Sequence, residues 1–232
     1  SNTDVHKPWA NGQDVGGRPS DNWIIDFGVD MAEVDAALYE KPFAHVLAKV
    51  KPYRETVRRE RTRRRWWIHE EARVGLRKAI GSLARFIATP RVAKHRIFVW
   101  FSVVVLPDTR LCVIAHDDDT TFGVLSSRLH EVWALANASR HGDGADGGRP
   151  TYNARDCFET FPFPENALSD PDPDARFPAI VAAARRLVEL RDNWLNPPEW
   201  VKRVPEVVPG YPDRLIPVDE KAAAELKKRT LT

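Results

Sequence analysis

The amino-acid sequence predicts an α+β fold: a small, mostly antiparallel sheet flanked by helices, with a basic N-terminal helix and a C-terminal helical segment. Three observations carry that expectation. β-Branched and aromatic runs are concentrated between residues 85 and 115. Apolar residues at helical spacing lie on both sides of them. An arginine-dense stretch, Tyr53 to Trp67, precedes the strands.

Each element follows in order. Trp23 to Phe27 is a short strand-like run behind the turn-forming residues Gly16 to Ser20. Asp30 stands as N-cap for a helix from Met31 to Tyr39, with Glu33 at the capping-box position. Phe43, Val46, Leu47 and Val50 recur at i, i+3, i+4, i+7 behind Pro42. That pattern continues into the arginines, with Pro52 as a kink point. Leu76, Ile80 and Leu83 suggest a short helix that weakens at Gly81. Strands are expected over 85–89, 97–105 and 111–115, the last two joined as a hairpin through Pro107-Asp108-Thr109. Phe122 to Ala138 reads as one helix, with Leu125, Leu129, Val132, Trp133 and Ala136 on its apolar side. Arg140 to Pro150 holds four of the twelve glycines and reads as a flexible loop. Phe177 to Leu195 is an amphipathic helix, with Ile180, Ala184, Leu187 and Leu190 at its spacing. The expected division is a recognition domain over 1–165 and a helical, proline-rich segment over 166–232.

Composition narrows the function. The 232 residues contain no apolar run approaching the ~18–20 residues of a membrane span. Cys112 and Cys157 are too few for a disulfide framework, so a reducing cytoplasm is the expected setting. The net charge of +2 is an average over unlike parts. Residues 51–96 hold 15 Lys+Arg against 4 Asp+Glu, a balance of +11; the remaining 186 hold 20 against 29, a balance of −9. Such polarisation points to a surface for an anionic partner.

Arg54, Arg58, Arg59, Arg61, Arg63, Arg64 and Arg65 make the basic segment. On one helix, Arg54, Arg58, Arg61 and Arg65 would form a stripe able to track a phosphate backbone, with Trp66-Trp67 anchoring its end. The alternative is a solvated face, or a surface for an acidic protein partner. His116-Asp117-Asp118-Asp119 is read as a polar loop capping the next helix, with metal binding and base reading as its other options. Asn196-Pro197-Pro198-Glu199 echoes a methyltransferase amine-binding loop but has Glu where a ring must stack, so it reads as a helix stop. Pro107-Asp108 with Asp219-x-Lys221 mimics a nuclease pattern, with its halves far apart in sequence.

Many short motifs then recur in a recognisable order. They include Trp23-Ile-Ile-Asp-Phe27, Tyr39-Glu40-x-Pro42-Phe43, Arg63-Arg-Arg-Trp-Trp67, Thr89-Pro-Arg-Val-Ala-Lys-His-Arg96, Phe122-Gly-Val-Leu-Ser-Ser127, His130, Trp133, Tyr152-Asn153 and Cys157-Phe-Glu-Thr-Phe-Pro-Phe-Pro164. Over residues 8–195 the chain resembles the target-recognition region of MmeI-like bacterial DNA methyltransferases of restriction-modification systems. The resemblance implies that the parent protein methylates adenine N6 with S-adenosylmethionine, and that its catalytic motif lies upstream. It also implies that this chain reads double-stranded DNA beside a methyltransferase domain of the same polypeptide, without catalytic residues or a cofactor of its own. The family's base-reading positions map to Lys94, to Asp117 or its neighbour His116, and to Arg149. Lys and Arg can donate to guanine, and Asp can accept from cytosine N4, so a Lys94–Asp117 pair is expected to read one G·C pair.

Overall fold

The computed structural model describes residues 1–142, 147–208 and 210–231. The chain opens with a 3-10 turn (Asn2–Val5), β1 (His6–Ala10), α1 (Gly12–Gly16) and β2 (Trp23–Ile25). Four short helices follow: α2 (Glu33–Ala37), α3 (Glu40–Lys49), α4 (Lys51–Thr56) and α5 (Glu60–Arg64). Then come α6 (Val74–Ile80), β3 (Arg85–Pro90), β4 (Val99–Ser102), β5 (Leu106–Pro107), β6 (Leu111–Ile114), α7 (Asp119–Leu125) and α8 (Arg128–Asn137). The remainder is β7 (Ser139–His141), β8 (Arg149–Thr151), a π turn (Ala154–Phe158), α9 (Pro173–Arg176), α10 (Pro178–Leu195), β9 (Val201–Val204), β10 (Arg214–Pro217) and α11 (Glu220–Lys227). The expected α+β class holds, and of the named strand pairs only β1 with β5 is parallel.

The central sheet has the order β4-β3-β6. Successive side chains of a strand point to opposite faces, and β3 buries both. Phe86 and Ala88 join one core with Val15, Ile80, Val99 and Leu111. Ile87 joins another with Phe98, Phe122, Leu125, Tyr152 and Ala184. A third core holds the N-terminal helices together around Phe27, Val46, Trp66 and Ile68.

Four expectations are corrected. The 97–105 run is not one strand, because after Ser102 the chain turns and Leu106–Pro107 pairs with β1 in a different sheet. Both halves are apolar because both sheets are covered, and that uniformity hides the bend. The Asp108 turn therefore does not close a hairpin: β4 and β6 lie on opposite sides of β3. The helix expected over 31–39 shrinks to α2, with Ala32 rather than Asp30 at its N-cap. The helix expected over 122–138 breaks at Ser126-Ser127, where the Ser127 hydroxyl caps α8. That break turns the second half, so His130 and Ala134 face inward while Leu129 and Val132 are 78% and 54% exposed. Similarly, α10 buries Val181, Ala184 and Leu195 and leaves Leu187 and Leu190 outward.

α10 lies against α7 at Gly123. A Cβ there would come within 2.6 Å of Ile180 Cγ2 and 3.2 Å of Ala184 Cβ. The C-terminal segment returns to the N-terminus. Tyr211 donates its hydroxyl to the His6 carbonyl at 2.8 Å, and its ring meets Trp23 edge-on at 5.4 Å. Arg18 donates to the Leu215 carbonyl at 2.6 Å, and the Leu231 N–H to the Gly16 carbonyl at 2.8 Å. Among the described residues no helix is long and apolar enough to cross a membrane.

Candidate nucleic-acid interface

The arginine segment is two helices, not one. Val57 and Arg59 adopt extended backbone, with ψ of 148° and 112°, and interrupt the run between α4 and α5. The expected i+4, i+3, i+4 stripe is thereby broken, because its register depended on an uninterrupted helix. Internal partners also occupy most of the guanidiniums. Arg59 donates to Glu70 at 2.5 Å, and Arg54, with a side chain only 14% exposed, lies 3.9 Å from the same carboxylate. Arg63 donates to the Val57 and Arg58 carbonyls at 2.8 and 3.1 Å, which ties the linker to α5. Arg64 pairs with Glu60 at 2.7 Å. Arg65 donates to the Val29 carbonyl and lies 3.4 Å from Asp30. Arg58 and Arg61 are exposed, and their side chains have no ion pair among the described residues.

Trp66 is not an end anchor but a core residue, 4% exposed, 5.3 Å from the Phe43 ring and donating its indole N–H to Glu33 at 3.2 Å. Trp67 donates to the Met31 carbonyl at 2.9 Å. The segment's two tryptophans hold the helices together, while Arg58 and Arg61 face solvent without an ion pair among the described residues.

A second basic locus is built at the end of β3. The connector from β3 to β4 runs beside β8. Its Val92 bridges Thr151, the Ala93 N–H donates to the Pro150 carbonyl at 3.3 Å, and the Tyr152 N–H donates to the Arg91 carbonyl at 2.6 Å. These contacts share one antiparallel register, from Arg91–Tyr152 to Ala93–Pro150, and Lys94 and Arg149 are the next residues along the two segments. Both are exposed. On the other side of Arg149 stands His141 of β7. The expected glycine-rich loop is thus closed at its base by β7 and β8; residues 143–146 lie outside the described residues.

A buried polar chain supports these loops. Arg96 donates to Thr89 Oγ1 at 3.0 Å and to the Pro90 carbonyl, and its guanidinium lies 4.9 Å over the Tyr152 ring. The Tyr152 hydroxyl lies 3.1 Å from His130 Nε2, and His130 Nδ1 lies 3.0 Å from the Leu125 carbonyl. A carbonyl only accepts, so Nδ1 carries the proton and Nε2 accepts from tyrosine. Burial pushes the His130 pKa down to about 4, so the ring is neutral at physiological pH. The same burial raises the Tyr152 hydroxyl and lowers the Arg96 guanidinium from their ordinary values. Phe161 covers His130 edge-on at 4.8 Å, which gives the Phe-Pro-Phe-Pro stretch a packing role.

His116 and Asp117 lie elsewhere. The Asp117 carbonyl accepts from Arg85 at 3.0 and 3.1 Å, so it stands at the start of β3, whereas Lys94 lies past its end. Six strand residues between them span about 20 Å at ~3.3 Å per residue. Lys94 and Asp117, expected to read one G·C pair, thus stand beyond opposite ends of β3, and the segment that carries Lys94 runs beside β8, where Arg149 stands.

The acidic loop caps, as its polar reading expected. Asp118 accepts from the Thr121 N–H at 2.6 Å, and its other oxygen is 3.1 Å from His116 Nδ1. Burial opposes its charge, yet the His116 and Thr121 bonds hold its carboxyl below the ordinary range. Asp119 is gripped by Arg85 at 2.8 Å and Arg185 at 2.7 Å. Arg85 lies 3.8 Å over the Trp100 ring, which stacks on Phe122 at 4.9 Å.

The other motifs take structural positions. Asn196 is the C-cap of α10, so the Asn-Pro-Pro stretch does stop a helix. Asp219 caps α11, and Asp108 caps the turn before β6. Both thiols are buried and raised in pKa by that burial, and Cys157 lies 3.6 Å from the Ala134 carbonyl. Sequence reasoning placed Arg96 and His130 in recurring motifs but gave neither a role, and it missed the buried chain they form with Tyr152. Spacing alone gives no signal for Arg96, and the orientation of His130 depends on the helix break at Ser126-Ser127.

Among solved structures, the chain is similar in fold to a type IIL restriction-modification enzyme, MmeI, whose structure was solved in complex with DNA. The TM-score is 0.57 at 16% sequence identity, over 83% of this chain and 24% of that one. The chain spans about a quarter of that protein's length. No family model matches the sequence, and no curated protein matches it.

Proposed function

We propose that this chain is the sequence-specific DNA-recognition module of an adenine-N6 DNA methyltransferase of a restriction-modification system. It binds double-stranded DNA beside a methyltransferase domain of the same parent chain, in the cytoplasm. It performs no chemistry itself; S-adenosylmethionine belongs to that other domain. The observation that carries the reading is the exposure of Lys94 and Arg149, on the β3–β4 connector and on the strand β8 that it runs beside, with a buried polar support. Both side chains donate to guanine O6 and N7 in a major groove. The similarity in fold to an enzyme whose structure was solved in complex with DNA supports the same reading. Arg58 and Arg61 supply phosphate contacts, while His116 and Asp117 reach bases from a separate position at the start of β3.

Selection from a pool of random duplexes tests the proposal. Lys94→Glu should change the sequences enriched and leave the fold intact. Unchanged enrichment would remove Lys94 from the reading set. A protein-interaction module using arginines against an acidic partner would show no steep salt dependence on duplex DNA.

A further inference from the structure

We infer that Arg91 and Arg110 form a phosphate clamp beside Lys94 and Arg149 and grip the backbone of duplex DNA. The inference rests on the DNA-recognition reading above. It adds two residues that lie outside both the arginine-rich segment and the base-reading positions.

β3 and β6 pair with Pro90 opposite Leu111. One step outward the Arg91 N–H donates to the Arg110 carbonyl at 2.7 Å, so the two arginines stand directly opposite each other. Residues so placed on an antiparallel ladder project from the same face, with Cβ atoms about 5 Å apart, and like charges there repel. Both side chains are exposed, Arg110 to 82%. The Arg91 side chain has no hydrogen-bond or ion-pair partner among the described residues. One carboxylate attends the pair: Asp108 Oδ1 lies 3.7 Å from Arg110 Nε and already accepts the Arg110 backbone N–H at 2.7 Å. Two exposed arginines therefore stand on neighbouring segments with one carboxylate, already partly engaged, beside Arg110.

An anion resolves that repulsion. The planar fork of arginine matches the paired oxygens of a phosphodiester. Position favours a nucleic-acid backbone over a free ion. The Arg91 N–H donates to the Arg110 carbonyl and the Arg91 carbonyl accepts from the Tyr152 N–H, so residues 91–93 connect Arg110 to β8, the strand that begins at Arg149. A strand gripped by Arg91 and Arg110 would be held next to the groups that read its bases. Backbone contacts set register in this way while neighbouring side chains set sequence.

The test is fluorescence anisotropy of the full chain on short duplexes of several mixed sequences, between about 50 and 200 mM salt. For R91A/R110A the slope of log affinity against log salt should become shallower by about 2, one unit per lost contact. Affinity should fall at least about tenfold on every duplex alike, with the unfolding midpoint unchanged. R91K/R110K, which keeps both charges, should retain most of the slope. A wild-type slope in R91A/R110A, while the parent chain binds, overturns the clamp and leaves the recognition reading standing. Losses confined to some sequences also overturn it, since they would make these arginines base readers. A parent chain that binds no duplex overturns both.

Discussion

The arginine segment and the β3–β4 loop treat charge in opposite ways. The segment is conspicuous in sequence, with seven arginines in twelve residues, yet most of them serve its own architecture. Glu70, Glu60 and Asp30 neutralise some, and backbone carbonyls take others. The loop is quiet in sequence, but Arg91, Lys94 and Arg149 stand exposed on it and on the strand beside it. Counting cations therefore locates charge, whereas following each guanidinium to its partner locates the charge left for a ligand. The supports differ too. Apolar tryptophan packing underlies the first region, and a buried Arg–Tyr–His chain underlies the second.

Three experiments break or sharpen this contrast. The largest effect is expected from Trp66→Ala, which removes the keystone of the arginine region's core. It should cost about 3–5 kcal/mol in denaturant unfolding; a loss under about 1 kcal/mol would mean that the tryptophan is peripheral after all.

The second experiment uses acid on the loop support. His130 titrates near 4 in the folded chain, against ~6.5 unfolded. The unfolded state takes up this proton first. The chain is unaffected by this group above about pH 6.5, loses stability as pH falls through that value, and has lost about 3 kcal/mol once pH passes below 4. An NMR titration of the His130 ring should show a neutral imidazole down to about pH 4. An imidazole already charged near pH 6 would contradict the buried chain.

The smallest effect on stability separates the arginines from one another. Arg58→Ala with Arg61→Ala should change the unfolding free energy by no more than about 0.5 kcal/mol. The same pair should flatten the salt dependence of DNA binding by about two units. Arg63→Ala should do the reverse, loosening the α4–α5 linker and leaving the salt slope nearly unchanged, with both properties measured on one preparation.

Much of the fold was legible in sequence because burial leaves a period. β3, β6, α3 and α10 stand close to where their apolar residues put them. What was hidden depended on events without a period. The Ser126-Ser127 break rotates α8, so Leu129 and Val132 point outward although they fit a continuous helix. The bend after Ser102 sends one apolar run into two sheets. At the candidate site, Lys94 and Arg149 were identifiable by resemblance, but the adjacency of their segments was not, since it arises from a bridge between residues more than fifty positions apart. The arginine stripe failed for the opposite reason: seven arginines carry no mark that distinguishes a guanidinium bound to a neighbouring carbonyl from one facing water.

The return of the C-terminal segment to Trp23, His6 and Gly16 has a consequence in time. Translation proceeds at about 5–20 residues per second, so roughly 200 residues separate these partners by about 10–40 seconds. During that interval the first hairpin has emerged without Tyr211, Leu215 or Leu231 to close over it. A nascent chain of this protein therefore carries an uncovered tryptophan edge until the segment 211–231 emerges.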